Sequence, residues 1–396
     1  MPSPLTSLRI LDLSRLLPGP YTTRLLADLG AEVIKVETPL LGDYAREAPP
    51  EFGGMAMFDM LNRGKQSVAL NYRNKQGREI FLKLATTADI IIETFKPGSV
   101  DKWGIGYEAV KAVNPRIIYC SLSGYGQTGP YANRPGHDLN YIAIGGLLGL
   151  TGTPESGPIP PGAQIADLGG ATFAALHILA ALLQRQQTGE GQYIDVAMID
   201  SVVHWLLPTA GAAHFGGQTP QRGQMPLTGG WPCNNVYPTA DGRHLTLGAI
   251  EPPFWSEFCR LTDRNDLLPF AFDPAYIPTV AEIFRQKPAD KWLALFDGGD
   301  CPLELVLTLP ETLQHPQVIH RRLISPLPSG RGAGGEVAGG EAARLESPFP
   351  YPPREGTAPT LGRDTRAVLE SAGYTAEEIA QLGEKKIIKL GDSARQ

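Results

Sequence analysis

What most constrains the fold of this chain is the alternation, over roughly its first half, of short apolar runs with amphipathic segments of helical period. Leu8–Leu13 (LRILDL) reads as a strand, and the Pro/Gly turn S14-R-L-L-P-G-P launches a helix over Tyr21–Leu29. Gly30 ends that helix, and A31-E-V-I-K-V-E is a second strand. Strand, turn, helix, strand is a βαβ unit, and such units build parallel sheets. The pattern recurs: L61-N-R-G-K is a basic turn feeding a strand, Gln76–Thr87 is an amphipathic helix, and A88-D-I-I-I-E is a buried strand left by F95-K-P-G. Val100–Val113 is helical around a glycine break, R116-I-I-Y-C-S-L-S is a strand, and Y193-I-D-V-A-M follows a long apolar helix over Leu168–Arg185. The expectation is a doubly wound, Rossmann-like α/β domain. Its first turn lacks the G-x-G-x-x-G spacing, so no dinucleotide site is expected there. Residues from Leu40 to Phe58 read as loop.

At 396 residues the chain exceeds one ordinary core, and two or three domains are expected. We place a large domain over 1–207, a Gly/Pro/Gln-rich linker over 208–230 and a smaller α+β domain over 231–324. The small domain opens with N235-V-Y-P-T, the turn A240-D-G-R, the strand H244-L-T-L-G-A-I and a helix beginning E251-P-P-F, with proline near its first turn. Residues 325–396 then return to the large domain as a Pro/Gly-rich stretch and a closing helical segment.

Composition narrows the function classes. A net charge of -6 argues against a protein whose main task is gripping nucleic acid, so an anionic ligand would need a local basic pocket. Cys120, Cys233, Cys259 and Cys301 are scattered, without C-x-x-C or metal-ligand spacing, and read as reduced core thiols; no metal is expected. The opening MPSPLTSLRILDLS lacks a signal layout, so a cytoplasmic location is expected. Leu168–Leu183 is the one stretch approaching a membrane span; it is short, Gly/Ala-rich and carries His177, and reads as a buried helix with a core histidine, leaving no membrane span.

In doubly wound sheets ligands bind beyond the strand C-termini, where Arg63, Lys65, Arg73, Lys96 and the Gly124–Gly129 loop fall. Further on, G136-H-D-L-N-Y and Q164-I-A-D-L-G-G each place a titratable group just before an apolar run. His137 and Asp167 would then lie at helix N-termini, where free N–H groups favour an anion or oxyanion. Capping explains His137, Asp138 and Asp167 about as well as catalysis does. Glu251, directly after the buried strand T246-L-G-A-I, must be solvated or paired. Residue by residue, the sequence points to an α/β enzyme for an anionic ligand and specifies no reaction.

The chain resembles the CoA-transferase family III superfamily, the CaiB/BaiF type. The likeness runs through L11-D-L-S-R-L-L-P-G-P, L26-A-D-L-G-A-E-V-I-K-V-E, N62-R-G-K, A166-D-L-G-G, T188-G-E-G-Q and G373-Y-T-A-E-E-I. G136-H-D-L-N-Y, an Asp thirty positions after that His (167 minus 137), and G248-A-I-E-P are similar to the racemase branch in particular. That branch implies a 2-methylacyl-CoA racemase (epimerase) inverting the α-carbon of a branched acyl-CoA by 1,1-proton transfer. His137 and Asp167 would be the acid/base pair, and Glu251 would bond to the His. Backbone N–H groups at Gly136 and Asp138 would hold the enolate oxygen, a contribution of roughly 3–4 kcal/mol per donor. In the transferase branch the residue matching Asp167 is instead a nucleophile that carries acyl and CoA, and no His matches His137. The resemblance also implies CoA contacts at Lys35 and Thr38, at Arg63, Lys65, Leu70, Asn71, Tyr72 and Arg73, at Thr94, Phe95, Lys96, Pro97 and Gly98, and at Tyr141. It implies an interlocked homodimer whose site joins the large domain of one subunit to Glu251 of the other. The acyl-CoA is substrate, and no cofactor is required. Two departures stand out: similar racemases usually have Arg where Thr38 stands, so a CoA contact is lost or replaced there, and 40–61 has a transferase-like length.

Overall fold

The computed structural model describes residues 2–47, 49, 55–217, 219–326, 343–352, 354 and 356–391. They divide into two compact units: Met1–Gly145, Ala163–His204 and His320–Gln396 form the larger, Gly146–Gly162 and Trp205–Ile319 the smaller.

The larger unit is built on strands β1 (Arg9–Asp12), β2 (Glu32–Glu37), β3 (Gln66–Leu70), β4 (Ile90–Glu93), β5 (Ile118–Ser123) and β6 (Gln192–Ala197). The sheet order is 3-2-1-4-5-6, all parallel, with Ile388–Lys389 added antiparallel beside β3. This is the doubly wound arrangement expected from the alternation. The strands are runs of Ile, Val and Leu because helices cover both faces of a parallel sheet, leaving no polar side. Ile10 pairs in register with Val33 on one side and Ile90 on the other. The chain therefore reverses its winding direction between β1 and β4, where a crevice opens.

The helices follow from local chemistry. Pro18–Asp28 starts with Pro at its first turn, where a missing N–H costs nothing. Lys75–Ala85 is capped by Asn74, whose side chain accepts from the Gln76 N–H, and it buries Ile80, Phe81 and Leu84. The long helix spans Ile165–Thr188, three residues earlier at its start than the apolar pattern indicates, and stops at Gly189 in the left-handed region. It packs on Pro18–Asp28 closely enough for Thr22 Oγ1 to donate to the Ala171 carbonyl at 3.2 Å. Length and composition alone would let it cross a membrane, but half of that apolar window is buried within the protein. His177 is exposed rather than a core histidine, because the buried stripe runs through Ala171, Ala174, Ala175 and Ile178.

Two segments carry more order than their composition suggests. Between Leu40 and Phe58, Tyr44–Glu47 forms a 3-10 turn and Met55–Asn62 a helix. Within 208–230, Leu207–Gly216 is helical and Pro226–Thr228 is a 3-10 turn. In the smaller unit Asn234–Pro238, His244–Gly248 and Leu303–Leu305 form an antiparallel sheet. Tyr237, Trp255, Phe258, Phe284 and Trp292 make its aromatic core.

Charged residues of β1, β2 and the turn entering β3 point inward. Lys35 Nζ meets Asp43 at 2.8 Å and donates to the Ser14 carbonyl at 2.9 Å. Lys65 Nζ lies 3.3 Å from Asp12 and donates to Thr23, Asn62 and the Pro20 carbonyl. Arg63 pairs with Asp28, which also binds Arg24. Removing one partner of a buried pair costs about 3–5 kcal/mol. Lys35→Ala is therefore expected to lower unfolding free energy by about that amount in urea denaturation, and Lys35→Met/Asp43→Asn to recover part of it; an unchanged midpoint for Lys35→Ala would refute this role.

Candidate active site

A cavity of about 460 Å³ lies beyond the C-terminal ends of β1, β4 and β5, where a sheet of this topology leaves its crevice. Arg15 and Leu16 line it after β1, Thr94, Phe95, Lys96 and Pro97 after β4, and Gly124 and Tyr125 after β5. Gly136, His137, Tyr141 and Asp167 complete the lining on the far side. The fold thus brings His137 and Asp167 to one cavity.

The two groups are placed by two helix starts. His137, with extended backbone, is the N-cap of Asp138–Ile144, and its N–H donates to Asn140 Oδ1 at 3.0 Å. Asp138 follows it, yet its carboxylate serves the other helix: Oδ1 accepts from the N–H groups of Ala166 at 2.6 Å and Asp167 at 3.1 Å. A carboxylate on the free N–H groups of a first turn is a strong cap. Here the cap comes from a neighbouring element and ties the two helix starts together. Asp167 sits inside the first turn of the long helix, half-buried. Burial, and secondarily the Asp138 charge, push its carboxyl up to about 7, so both protonation states are accessible near neutrality.

Tyr141 fills the space between the two glycines that flank the site. A Cβ on Gly124 would stand 2.3 Å from its ring and one on Gly136 2.7 Å, so both positions demand glycine. The Tyr141 hydroxyl donates to the Gly136 carbonyl, and Tyr125 meets the ring edge-on at 5.1 Å. Burial, with Asp167 next, lifts that phenol to about 12, so it stays a donor. The arrangement offers one imidazole, one carboxyl that titrates near neutrality, and free N–H groups at the first turn of Asp138–Ile144.

Of the CoA contacts expected from the resemblance, Thr94, Phe95, Lys96, Pro97 and Tyr141 line the cavity. Thr38 and Tyr72 line a small recess together with Arg15. Arg73 stacks on Trp103 at 4.5 Å, Gly98 starts a short helix in the left-handed region, and the Asn71 N–H donates to the Ile387 carbonyl. Five further expected site residues do not line this cavity. Lys35, Arg63 and Lys65 are buried and committed to internal carboxylates, because Lys35 points inward from within β2 while Arg63 and Lys65 lie in the turn that enters β3 rather than beyond a strand's C-terminal end. Leu70 is fully buried in β3 and pairs with Ile388. Glu251 belongs to the smaller unit, exposed at the N-cap of Pro252–Leu261. Sequence reasoning missed Arg15 and Tyr44; the one signal was a lone arginine in the turn leaving the first strand.

The Asp138–Asp167 geometry makes a signed prediction. Asp138→Asn keeps an oxygen acceptor for the helix cap and removes the negative charge beside Asp167. The carbon-13 carboxyl titration of Asp167 should have its midpoint near 7 and move to lower pH in Asp138→Asn; an unmoved midpoint would exclude Asp138 as a source of the shift.

A family model, CoA-transferase family III, matches residues 5–365. Mouse alpha-methylacyl-CoA racemase is 33% identical over 391 residues, covering 97% of both chains. Mouse succinyl-CoA:glutarate CoA-transferase is 35% identical over 336 residues, 81% of this chain and 76% of that protein. The crystal structure of a CaiB/BaiF family protein from Brucella suis is similar with a TM-score of 0.77 at 29% identity, covering 94% of this chain and 100% of that one. The sheet order, the cavity at its reversal point and these likenesses over nearly the whole length agree: the chain belongs to CoA-transferase family III, whose members here include racemases and CoA-transferases.

Proposed function

We propose that the protein is a 2-methylacyl-CoA racemase that inverts the carbon next to a thioester carbonyl by proton transfer. The observation that carries this reading is that His137 and Asp167 line one cavity from two helix starts held together by Asp138. Inversion takes a proton from one face of the carbon and returns one to the other, so two groups must flank it. Histidine is the side chain most often used for general acid–base work, and His137 supplies one here. The raised carboxyl of Asp167 gives the opposite face a group that can also hold or release a proton. When one of them removes the α-proton, the electron pair moves onto the carbonyl oxygen. N–H groups at the first turn of Asp138–Ile144 are the donors for that enolate-like oxygen. The other group then protonates the carbon. No step calls on a metal or redox cofactor.

The Glu251 carboxylate of a second copy would fix the His137 tautomer and stabilise the imidazolium in an interlocked homodimer. Leu176 and Leu183, 59% and 63% exposed on the long helix, are the kind of apolar surface a second copy would cover. The transferase reading is favoured by one observation: Asp167 is also the position of the transferase nucleophile, and the chain is as similar to transferases as to racemases.

The discriminating experiment incubates each C2 epimer of a 2-methylacyl-CoA in deuterated water. Exchange of the α-proton with both epimers is expected, and its absence with every branched acyl-CoA tested would sink the racemase reading. His137→Ala and Asp167→Asn should each lower the rate about 10²–10⁴-fold. A transferase would exchange CoA onto added carboxylic acids through an Asp167-bound species and keep much of its activity in His137→Ala.

A further inference from the structure

We propose that Arg15 grips a phosphate of the CoA nucleotide, through a guanidinium pre-set between two aromatic rings. This rests on the acyl-CoA reading above and names a binding residue for it. The guanidinium carbon lies 4.7 Å from the ring centre of Tyr44 and 4.6 Å from that of Phe95. Stacking on aromatic faces fixes the plane of an arginine and leaves its N–H edge free for a planar or tetrahedral anion. Arg24, Arg63 and Arg185, the buried arginines of the same unit, all have carboxylate partners. Arg15 forms no ion pair among the described residues, so its charge stays available.

The turn that carries Arg15 is held in place from several sides. Leu16 has φ 64, in the left-handed region that an L-residue enters only when its surroundings impose it. Its N–H donates to Asp43 Oδ1 at 3.0 Å, which also accepts from the Ala45 N–H at 3.0 Å. The same carboxylate is anchored by Lys35, which holds the Ser14 carbonyl as well. The Arg15 N–H donates to Thr94 Oγ1 at 3.2 Å. One buried pair thus positions the arginine, the Leu16 turn before the cavity and the Tyr44 ring.

Position selects the phosphate. Arg15 and Tyr44 line the cavity that holds His137 and Asp167, and Arg15 also lines the recess with Thr38 and Tyr72, which neither His137 nor Asp167 reaches. A CoA thioester with its α-carbon between the acid/base groups extends away from them, and Arg15 lies on the side of the uncharged Thr38. A carboxylate at the far end of a dicarboxylic acyl group is the other anion with matching chemistry, and the test separates the two.

Equilibrium titration with CoA, with pantetheine, which lacks every phosphate, and with succinyl-pantetheine should be run on the wild type, Arg15→Met and Arg15→Lys. Loss of a charge-assisted contact is expected to weaken CoA binding about tenfold or more in Arg15→Met. Arg15→Lys, which keeps the charge without the planar fork, should fall between, and the two phosphate-free ligands should bind all three proteins alike. CoA binding unchanged in Arg15→Met, or weakened in proportion to pantetheine, overturns the proposal. So does weakening confined to succinyl-pantetheine, which would assign Arg15 to an acyl carboxylate. If the wild type itself binds no CoA, the acyl-CoA reading fails first, and that result is distinct from the others.

Discussion

The site depends on carboxylates buried beneath the crevice floor. Asp12 ends β1 fully buried; burial alone would raise its carboxyl, but Lys35, Lys65, Ser14 and Thr23 hold it down to about 2. It therefore stays an anion at every physiological pH, fixing the Ser14 N–H at 2.9 Å and the Thr23 hydroxyl at 2.6 Å. Asp43 accepts from the N–H groups of Leu16 and Ala45, and Glu37 receives Arg46 and the Ser67 hydroxyl. Burying so many charges contributes little net stability. What it gives is geometry: the turn after β1 cannot relax without breaking several charge-assisted bonds together.

The second fixed point is the Asp138 carboxylate. By capping the long helix from a neighbouring helix start, it makes the His137–Asp167 pairing a property of two rigid elements. Burial raises the Asp167 carboxyl, and the same Asp138 charge adds to it. Asp138 thus contributes to both the position and the protonation of the second acid/base group, and neither effect is visible from Asp167 alone.

That contrast shows what the sequence discloses. The strand order, with its reversal between β1 and β4, is set by long-range pairing and was not legible. Strand and helix periodicity is local, so the doubly wound sheet was legible from Ile, Val and Leu runs alone. His137 and Asp167 were legible as helix-start groups for the same reason. Lys35, Arg63 and Lys65 were misplaced because a basic residue at a strand end looks the same whether it turns to solvent or inward, and their partners Asp43, Asp28 and Asp12 are distant in the chain or in another element. Arg15 was passed over because its meaning lies in Tyr44 and Phe95, one of which sits in a segment that reads as loop. The start of the long helix was read late because the first-turn N–H groups of Ala166 and Asp167 are capped by Asp138, twenty-eight and twenty-nine residues upstream.

A carboxyl poised near 7 also explains how one fold serves two chemistries. Such a group is ionised often enough to attack a thioester carbonyl and protonated often enough to donate to a carbanion. Asp167 is therefore compatible with either branch, and its environment does not choose between them. The choice falls to the other titratable group that lines the cavity. With an imidazole fixed at the start of Asp138–Ile144, the α-carbon has a second proton carrier, and returning a proton from the other face becomes possible without a covalent intermediate. His137, rather than the residue common to both branches, is what the proposed inversion rests on.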